Sequence, residues 1–416
     1  MKKTLFFLFV LVFGSQTISF SQETKEPVVI LISLDGFRYD YVDRFQPENL
    51  SRFIANGTSA TSLIPSFPTK TFPNHYTIAT GMRPEHHGIV DNSFYNPKKE
   101  QEYRINKREL VTDGSWYGGT PLWVLAEKNG IKAASYFFVG SEADVQNTRP
   151  SYYFDYDGRV NNLTRVSQVF EWLQMPDSLK PRMITMYFSD MDDLGHMYGA
   201  ENDKRLSEGL NRLDRELGAL FEGVKSLDQD VNIFIVSDHG MADVSADNYI
   251  ALDQITEGVS GRVVNSGALV HVYLDDPEDK KEAIQRMQQF EDGFRVFDSS
   301  DPICYQDLSV YGDRIGDVIL LADLGYYFME NEEYREVITR RMRIDGTSVR
   351  GTHGFSQKYP EMHGIFYANG PQIQEGLKID SFDNIHIYPL ICKILGLPVP
   401  ADIDGNLETL QPILRY

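Results

Sequence analysis

Cysteine is nearly missing: Cys304 and Cys392 are the only two in a chain of 416 residues. That excludes a metal site built on several thiolates, while one disulfide and two buried thiols both stay open. Long apolar runs are missing too. After Leu5 to Phe13, no segment approaches the 18 or so consecutive apolar residues of a membrane span. Basic charge is short, with 40 Lys and Arg against 60 Asp and Glu and a formal net charge of −20. A field of that sign argues against binding nucleic acid through a basic surface. An anionic small-molecule substrate would need a local positive charge, and a metal ion is its obvious supplier. There are no internal repeats and no low-complexity linkers.

What is present begins with a leader. Lys2 and Lys3, the run Leu5 to Phe13 and the pattern Ser19, Phe20, Ser21 have the order and length of a secretory signal peptide over residues 1–21. The run is too short for a hydrocarbon core of roughly 30 Å. The expectation is a soluble chain with no membrane anchor after cleavage, periplasmic or secreted. No Cys closely follows the run, which argues against a lipoprotein-type lipid anchor. Some 395 residues remain, more than the usual single-core domain of about 100–200 residues. That predicts one catalytic domain over 22–416 with a smaller insertion.

Three apolar, β-branched-rich segments read as buried parallel strands: Val28 to Leu34, Met183 to Phe188 and Val231 to Val236. Between the last two, Leu206, Leu210, Leu213, Leu217, Leu220 and Val224 alternate steps of four and three within Lys204 to Leu227, the face of an amphipathic helix. Strand, helix, strand implies an α/β sheet with right-handed crossovers. The stretch 261–343 differs, with expected strands at Ala268 to Leu274 and Asp317 to Leu321 around a helix at Asp279 to Phe290. It reads as an inserted α+β lobe. Gly364 to Ala368 then resumes a core strand, and Asn384 to Leu395 forms a closing helix ended by Gly396 and Pro398.

Each central strand runs into acids or histidines: Asp35 after the first, Asp192 and His196 after the second, Asp238 and His239 after the third. Ligands of open α/β sheets bind at the carboxyl ends of strands, so the three ends predict one site. Carboxylates mixed with imidazoles suit zinc or a similar borderline ion better than magnesium or calcium. Asp192 and His196, four apart around Gly195, can reach one ion from a turn or helix start. His353, in the glycine-flanked run Gly351 to Phe355, supplies the further imidazole the first ion needs. A lone Asp after a strand is more often a helix cap, and it is the joint occurrence that carries the metal reading. His75, His86, His87, His271, His363 and His386 are expected to be structural.

The run Ile64 to Tyr76, containing Thr69, Lys70, Thr71, Phe72, Pro73, Asn74 and His75, resembles the nucleophile segment of the nucleotide pyrophosphatase/phosphodiesterase family of the alkaline phosphatase superfamily. Gly81 to Pro84, His87 to Asn92, Asp35 with Gly36, Asp192 to His196, Ser237 to Met241 and Thr352 to Phe355 extend the likeness over nearly the whole mature chain. The resemblance implies an alkaline-phosphatase-like sandwich with a largely parallel sheet flanked by helices. It also implies two Zn²⁺ per chain, one held by Asp192, His196 and His353, the other by Asp35, Asp238, His239 and the Thr71 oxygen. The family's Glu-Pro-Asp is here Asp190, Met191, Asp192, and Asp192 keeps the four-residue step to His196. Thr71 becomes the nucleophile, its alkoxide stabilised by zinc, and Pro73 suggests a helix starting just after it.

By the same resemblance, Asn92 is a donor to a non-bridging phosphate oxygen, Phe72 and Tyr156 stack on a base, and Tyr187 lies nearby. The implied reaction is hydrolysis of nucleotide phosphodiesters or pyrophosphates to nucleoside 5′-monophosphates through a covalent threonine intermediate. Three carboxylates against two dications leave one positive charge, which suits a diester. Threonine-type monoesterases of the superfamily add a Lys and an Arg, where this chain reads Phe138, Val139, Gly140, Ser141, Glu142, Ala143. Its sulfatases need an Arg shortly after the nucleophile, which Thr71 to His75 lacks. A choline-type phosphodiesterase remains the enzymatic alternative, since aromatic faces also bind quaternary ammonium groups. An inactive binding scaffold is the alternative from another class, but it need not retain a nucleophile and six ligands together.

Overall fold

In the computed structural model the structure describes residues 26–344 and 348–415, so the leader assigned to 1–21 lies outside the described residues. The three apolar runs are neighbouring strands at the centre of an eight-stranded sheet. In chain order its members are β1 (Val28–Leu34), β2 (Thr58–Ala60), β3 (Ala133–Tyr136), β4 (Tyr152–Phe154), β5 (Met183–Phe188), β6 (Val231–Val236), β7 (Phe366–Asn369) and β8 (Leu377–Ile379). Their spatial order is β8-β2-β7-β6-β1-β5-β3-β4. Strands β6, β1, β5, β3 and β4 run parallel, while β7 is antiparallel to both β6 and β2.

Every residue of β1, β5 and β6 is buried, as expected of parallel strands covered on both faces. Successive side chains of β1 sort into two cores. Val29 and Leu31 pack with Ile78, Trp123 and Leu390, whereas Ile30 and Ile32 pack with Leu206, Leu210, Leu213, Leu217 and Leu220. The principal helices are α1 (Thr71–Thr80), α2 (Asp190–Tyr198), α3 (Asp203–Lys225) and α4 (Ile387–Leu395). All six residues of the expected stripe on α3 are buried. At roughly 1.5–3 kcal/mol for each fully buried aliphatic side chain, that stripe holds α3 against the sheet far more strongly than helix propensity does.

Between β6 and β7 the chain builds a second sheet, antiparallel throughout, in the order Gly261–Asn265, Leu269–Leu274, Val318–Ala322, Phe294–Asp298. Its inward side chains, among them Val270, Val272, Val296 and Leu320, belong to a third core. The helix expected over 279–290 is Lys280–Met287 followed by a 3₁₀ turn, Gln288–Phe290. The expected return strand is β7. The expected closing helix divides into a 3₁₀ turn, Asn384–His386, and α4, which ends on Gly396 at φ +69°. Cys304 and Cys392 are buried and unpaired, so the disulfide left open by the sequence is not formed. Among the described residues no helix is long and apolar enough to cross a membrane. The architecture is the α/β sheet that the strand pattern predicts, in the sandwich form with a largely parallel sheet that the family resemblance implies.

Candidate active site

Because β6, β1 and β5 are adjacent, their carboxyl ends deliver Asp238 with His239, Asp35, and the start of α2 to one place. Gly36 turns the chain at φ +64°, and a Cβ there would come within 2.8 Å of the Asp192 Cα, so only glycine lets this turn press against α2. Its N–H donates to Asp238 Oδ1 at 3.2 Å. Asp192 and His196 lie one turn apart on α2 and share a face. His353 arrives by long-range pairing: Ala242–Ser245, just after His239, pairs antiparallel with Val349–Thr352, whose end places His353 beside the others.

Two sets of donor atoms result, Asp192 with His196 and His353, and Asp35 with Asp192 and His239; Asp35 and Asp238 also meet at His75. A tetrahedral ion with bonds of about 2.0–2.1 Å separates its ligand atoms by about 3.3 Å. The observed separations match. His196 Nε2 is 3.3 Å and His353 Nε2 3.8 Å from Asp192 Oδ1, while His239 Nε2 is 3.4 Å from Asp35 Oδ1 and 3.0 Å from Asp238 Oδ2. The nucleophile candidate joins the second set, with Thr71 Oγ1 at 3.2 Å from His239 Nε2.

The imidazoles are oriented for this. Nδ1 of His196, His239 and His353 donates to the carbonyls of Gly351, Gly240 and Thr69, each at 2.9 Å. In a neutral imidazole this turns the Nε2 lone pair toward carboxylate oxygens, an acceptor-to-acceptor arrangement that a bound cation would relieve. Asp35 Oδ1, Asp192 Oδ1 and Asp238 Oδ2 are buried without any hydrogen-bond donor. These three oxygens are the ones turned toward the imidazoles, so the residues present fit a pair of metal ions.

The electrostatics agree. Burial, with the Asp238 and Asp192 charges added, holds the Asp35 carboxyl well above its usual range, and burial likewise raises Asp192. Burial also pushes Asp238 up, but His239 and His75 more than reverse it and leave it well below. For His239, burial opposes the charge and Asp238 outweighs it, so its imidazole is raised; His353 is driven well down by burial and by the His239 and Lys70 charges. Carboxyls crowded until some hold protons are what dications would release.

Thr71 opens α1 and is half-buried. The N–H of Phe72, one of the orphan donors of the first turn, is taken by Asn92 Oδ1 at 2.9 Å. A backbone N–H can only donate, so the oxygen of that amide is fixed and its NH₂ is left for another acceptor. Tyr187, expected near the substrate, donates its hydroxyl to Asp35 Oδ2 at 2.6 Å. Tyr156 is 48% exposed and meets Tyr187 edge-on at 6.1 Å, and no ring contact joins it to Phe72. Asp190 points away, accepting from Asn162 at 2.9 Å.

Two residues escaped the sequence reading. His75 lies four after Thr71 on α1, with Nδ1 at 2.8 Å from the Thr71 carbonyl and 3.2 Å from Asp238 Oδ2, and Nε2 at 2.7 Å from Ser33 Oγ. It joins the nucleophile's turn to a candidate ligand, and its only signal was the four-residue step from Thr71. Lys70 is buried beside the site with Nζ on the Ser266 carbonyl at 2.6 Å, and burial lowers its pKa despite nearby Asp91 and Asp192. Its signal was a lysine immediately before the nucleophile.

Comparison with known proteins identifies the family. The chain is 32% identical over 405 residues to a venom phosphodiesterase of Crotalus durissus collilineatus, covering 94% of this chain and 47% of that protein. Ectonucleotide pyrophosphatase/phosphodiesterase family member 1 of Mus musculus is also 32% identical, over 406 residues, 94% of this chain and 43% of that one. The chain thus spans about half the length of the curated relatives it matches. Human ectonucleotide pyrophosphatase/phosphodiesterase 5 superposes with a TM-score of 0.83 at 25% identity, covering 94% of this chain and all of that one. The murine protein, solved as an inactive threonine-to-alanine variant in complex with AMP, gives 0.84 at 24% identity, with coverage of 94% and 100%. The profile of type I phosphodiesterase / nucleotide pyrophosphatase matches residues 29–356, and the chain belongs to that family, within the alkaline phosphatase superfamily.

Proposed function

We propose that this protein is an exported two-zinc phosphodiesterase that hydrolyses nucleotide diesters or pyrophosphates to nucleoside 5′-monophosphates, with Thr71 as nucleophile. The observation that carries this reading is the set of three donorless, buried carboxylate oxygens facing imidazole lone pairs around the Thr71 hydroxyl. Asp192, His196 and His353 would hold one ion; Asp35, Asp238 and His239, with Thr71, the other. Bound zinc would supply Lewis acidity, lowering the pKa of the Thr71 hydroxyl and offsetting the charge of the attacked phosphate.

The protein's own groups do the rest. Thr71 Oγ1 forms a bond to phosphorus as the bond to the leaving oxygen breaks, and that oxygen takes a proton from solvent. The Asn92 amide, its oxygen occupied by Phe72 N–H, presents its NH₂ to a non-bridging oxygen, a donor whose strength grows as charge develops. Water then attacks the phosphothreonine and returns the Thr71 hydroxyl. Phe72 and Tyr156 stack on the base of the retained nucleotide, as base-binding aromatics do; a nucleotide as the ligand class is supported by the murine fold neighbour, which was solved in complex with AMP. Export is supported by the leader pattern of residues 1–21 and by the venom and ectoenzyme relatives.

The test is Thr71→Ala, assayed on a dinucleotide, a phosphocholine diester and a simple monoester, with elemental analysis alongside. Two zinc ions retained, nearly all diester hydrolysis lost and the dinucleotide best in the unmodified protein is the expected result. Undiminished turnover by the variant, or active protein without transition metal, refutes it.

A further inference from the structure

A cavity of about 530 Å³ opens beside the candidate metal centre, bounded on one side by Lys70, Asn92 and His196 and on the other by Tyr249, Tyr327 and Arg350. Its size lies in the range of small-molecule sites, about 300–1,000 Å³. Phe72, Tyr156 and Tyr187 do not line it. It meets the centre at His196, in the ligand set that does not include Thr71. In an in-line displacement the leaving group departs opposite the attacking oxygen. Resting on the function proposed above, we infer that this cavity receives the leaving half of the substrate, and that it favours a leaving half that carries a base.

The lining argues for a planar group over a bare polyphosphate. Tyr327 packs against Gly267, where a Cβ would come within 2.4 Å of its ring, and it meets Tyr249 edge-on at 6.1 Å. Tyr334, 48% exposed, adds a third ring at the cavity wall. Of the two cations present, buried Lys70 directs one of its three N–H donors to the Ser266 carbonyl, while Arg350 is exposed and has no ion-pair partner among the described residues. The acid Glu330 stands at the same wall. One buried ammonium and one exposed guanidinium, with the Glu330 carboxylate at the same wall, are modest compensation for pyrophosphate, whereas tyrosine faces stack on any base.

The walls are fixed relative to the nucleophile. Asp91, next to Asn92, accepts from Ser266 Oγ at 2.6 Å and from His271 Nε2 at 2.9 Å, so the lobe is fastened to the loop that carries Asn92. Lys70, next to Thr71, makes the second tie through Ser266.

The experiment compares a dinucleoside pyrophosphate with the nucleoside triphosphate of the same base. Both leave the same nucleoside monophosphate on Thr71, and they differ in whether the departing half carries a base. In Tyr327→Ala the ratio of their kcat/KM values should fall about tenfold, the loss of one stacked base. Tyr327→Phe should keep the ratio. Tyr334→Ala, on an exposed side chain, should lower it in the same direction even where Tyr327→Ala fails to fold. Calorimetric binding of the dinucleoside pyrophosphate to the Thr71→Ala protein should weaken by the same factor when Tyr327→Ala is added. A ratio unchanged in both alanine variants, or both substrates declining together, overturns the assignment while leaving the threonine mechanism intact. An unmodified protein that cleaves neither substrate overturns the function itself and the cavity assignment with it.

Discussion

Replacing Tyr187 with Phe removes one oxygen atom and nothing else. The ring keeps its edge contacts with His75 at 5.3 Å and Tyr156 at 6.1 Å, so no cavity opens. What is lost is the 2.6 Å hydrogen bond to Asp35 Oδ2 between two buried side chains. Burial and the Asp35 charge hold the Tyr187 pKa well above its usual value, so it stays a phenol and can only stabilise the carboxylate by donating. A short O–H···O⁻ bond of this kind contributes about 1.5–3 kcal/mol.

That energy divides unevenly between the two states of the protein. Without metal, burial and neighbouring carboxylates raise the Asp35 pKa, and a protonated carboxyl gains only a neutral hydrogen bond of about 0.5–1.5 kcal/mol. With metal bound, Asp35 is a carboxylate and the full bond counts. The difference, about 1–1.5 kcal/mol, should weaken metal binding about 5- to 12-fold, near the low end of the loss of about 10- to 100-fold that follows removal of a ligand's hydrogen-bond partner. Competition with a chelator measures the affinity, and melting with and without zinc measures the gap between the two states. Unaltered metal affinity in Tyr187→Phe, or an equal loss of stability in both states, would refute the reasoning.

Gly36→Ala should fold poorly and lose metal, because a left-handed alanine costs about 1–2 kcal/mol and its Cβ would strike the Asp192 backbone; an unchanged melting temperature and zinc content would contradict this. His86 gives a pH prediction: its hydrogen bond to Asp404 at 2.8 Å raises its pKa from 6.5 to about 9, with Asp307 and Glu85 adding to the effect. A raised pKa means stability fully present below 6.5 and lost as pH rises through about 9. Melting temperatures followed across that window should decline less in His86→Ala than in the unmodified protein, and parallel curves would count against the pair.

The parts of the site legible in the sequence are those set by local pattern. Asp35, Asp238 and the Asp192 segment each follow a run whose burial is encoded by its own side chains, and adjacent parallel strands must bring such ends together. His353 depends on pairing of Ala242–Ser245 with Val349–Thr352, more than a hundred residues apart, which no periodicity records; only its glycine-rich surroundings and the family likeness marked it. The short strands β2, β3 and β4 escaped because Thr58 to Ala60, Ala133 to Tyr136 and Tyr152 to Phe154 are too brief to show alternation. The direction of β7 was not legible either, since an apolar run reads the same parallel or antiparallel. His75 was set aside because a single histidine on a helix carries no sign of its partners, which come from β1 and from the loop after β6.

The central claim is that Thr71 itself attacks phosphorus, and stereochemistry tests it most directly. A chiral phosphorothioate diester, hydrolysed in isotopically labelled water and read by phosphorus NMR, reports the number of in-line displacements. Two displacements, through a phosphothreonine, retain configuration, and that is the predicted result. Inversion would mean that water attacks in a single step, and would contradict the account.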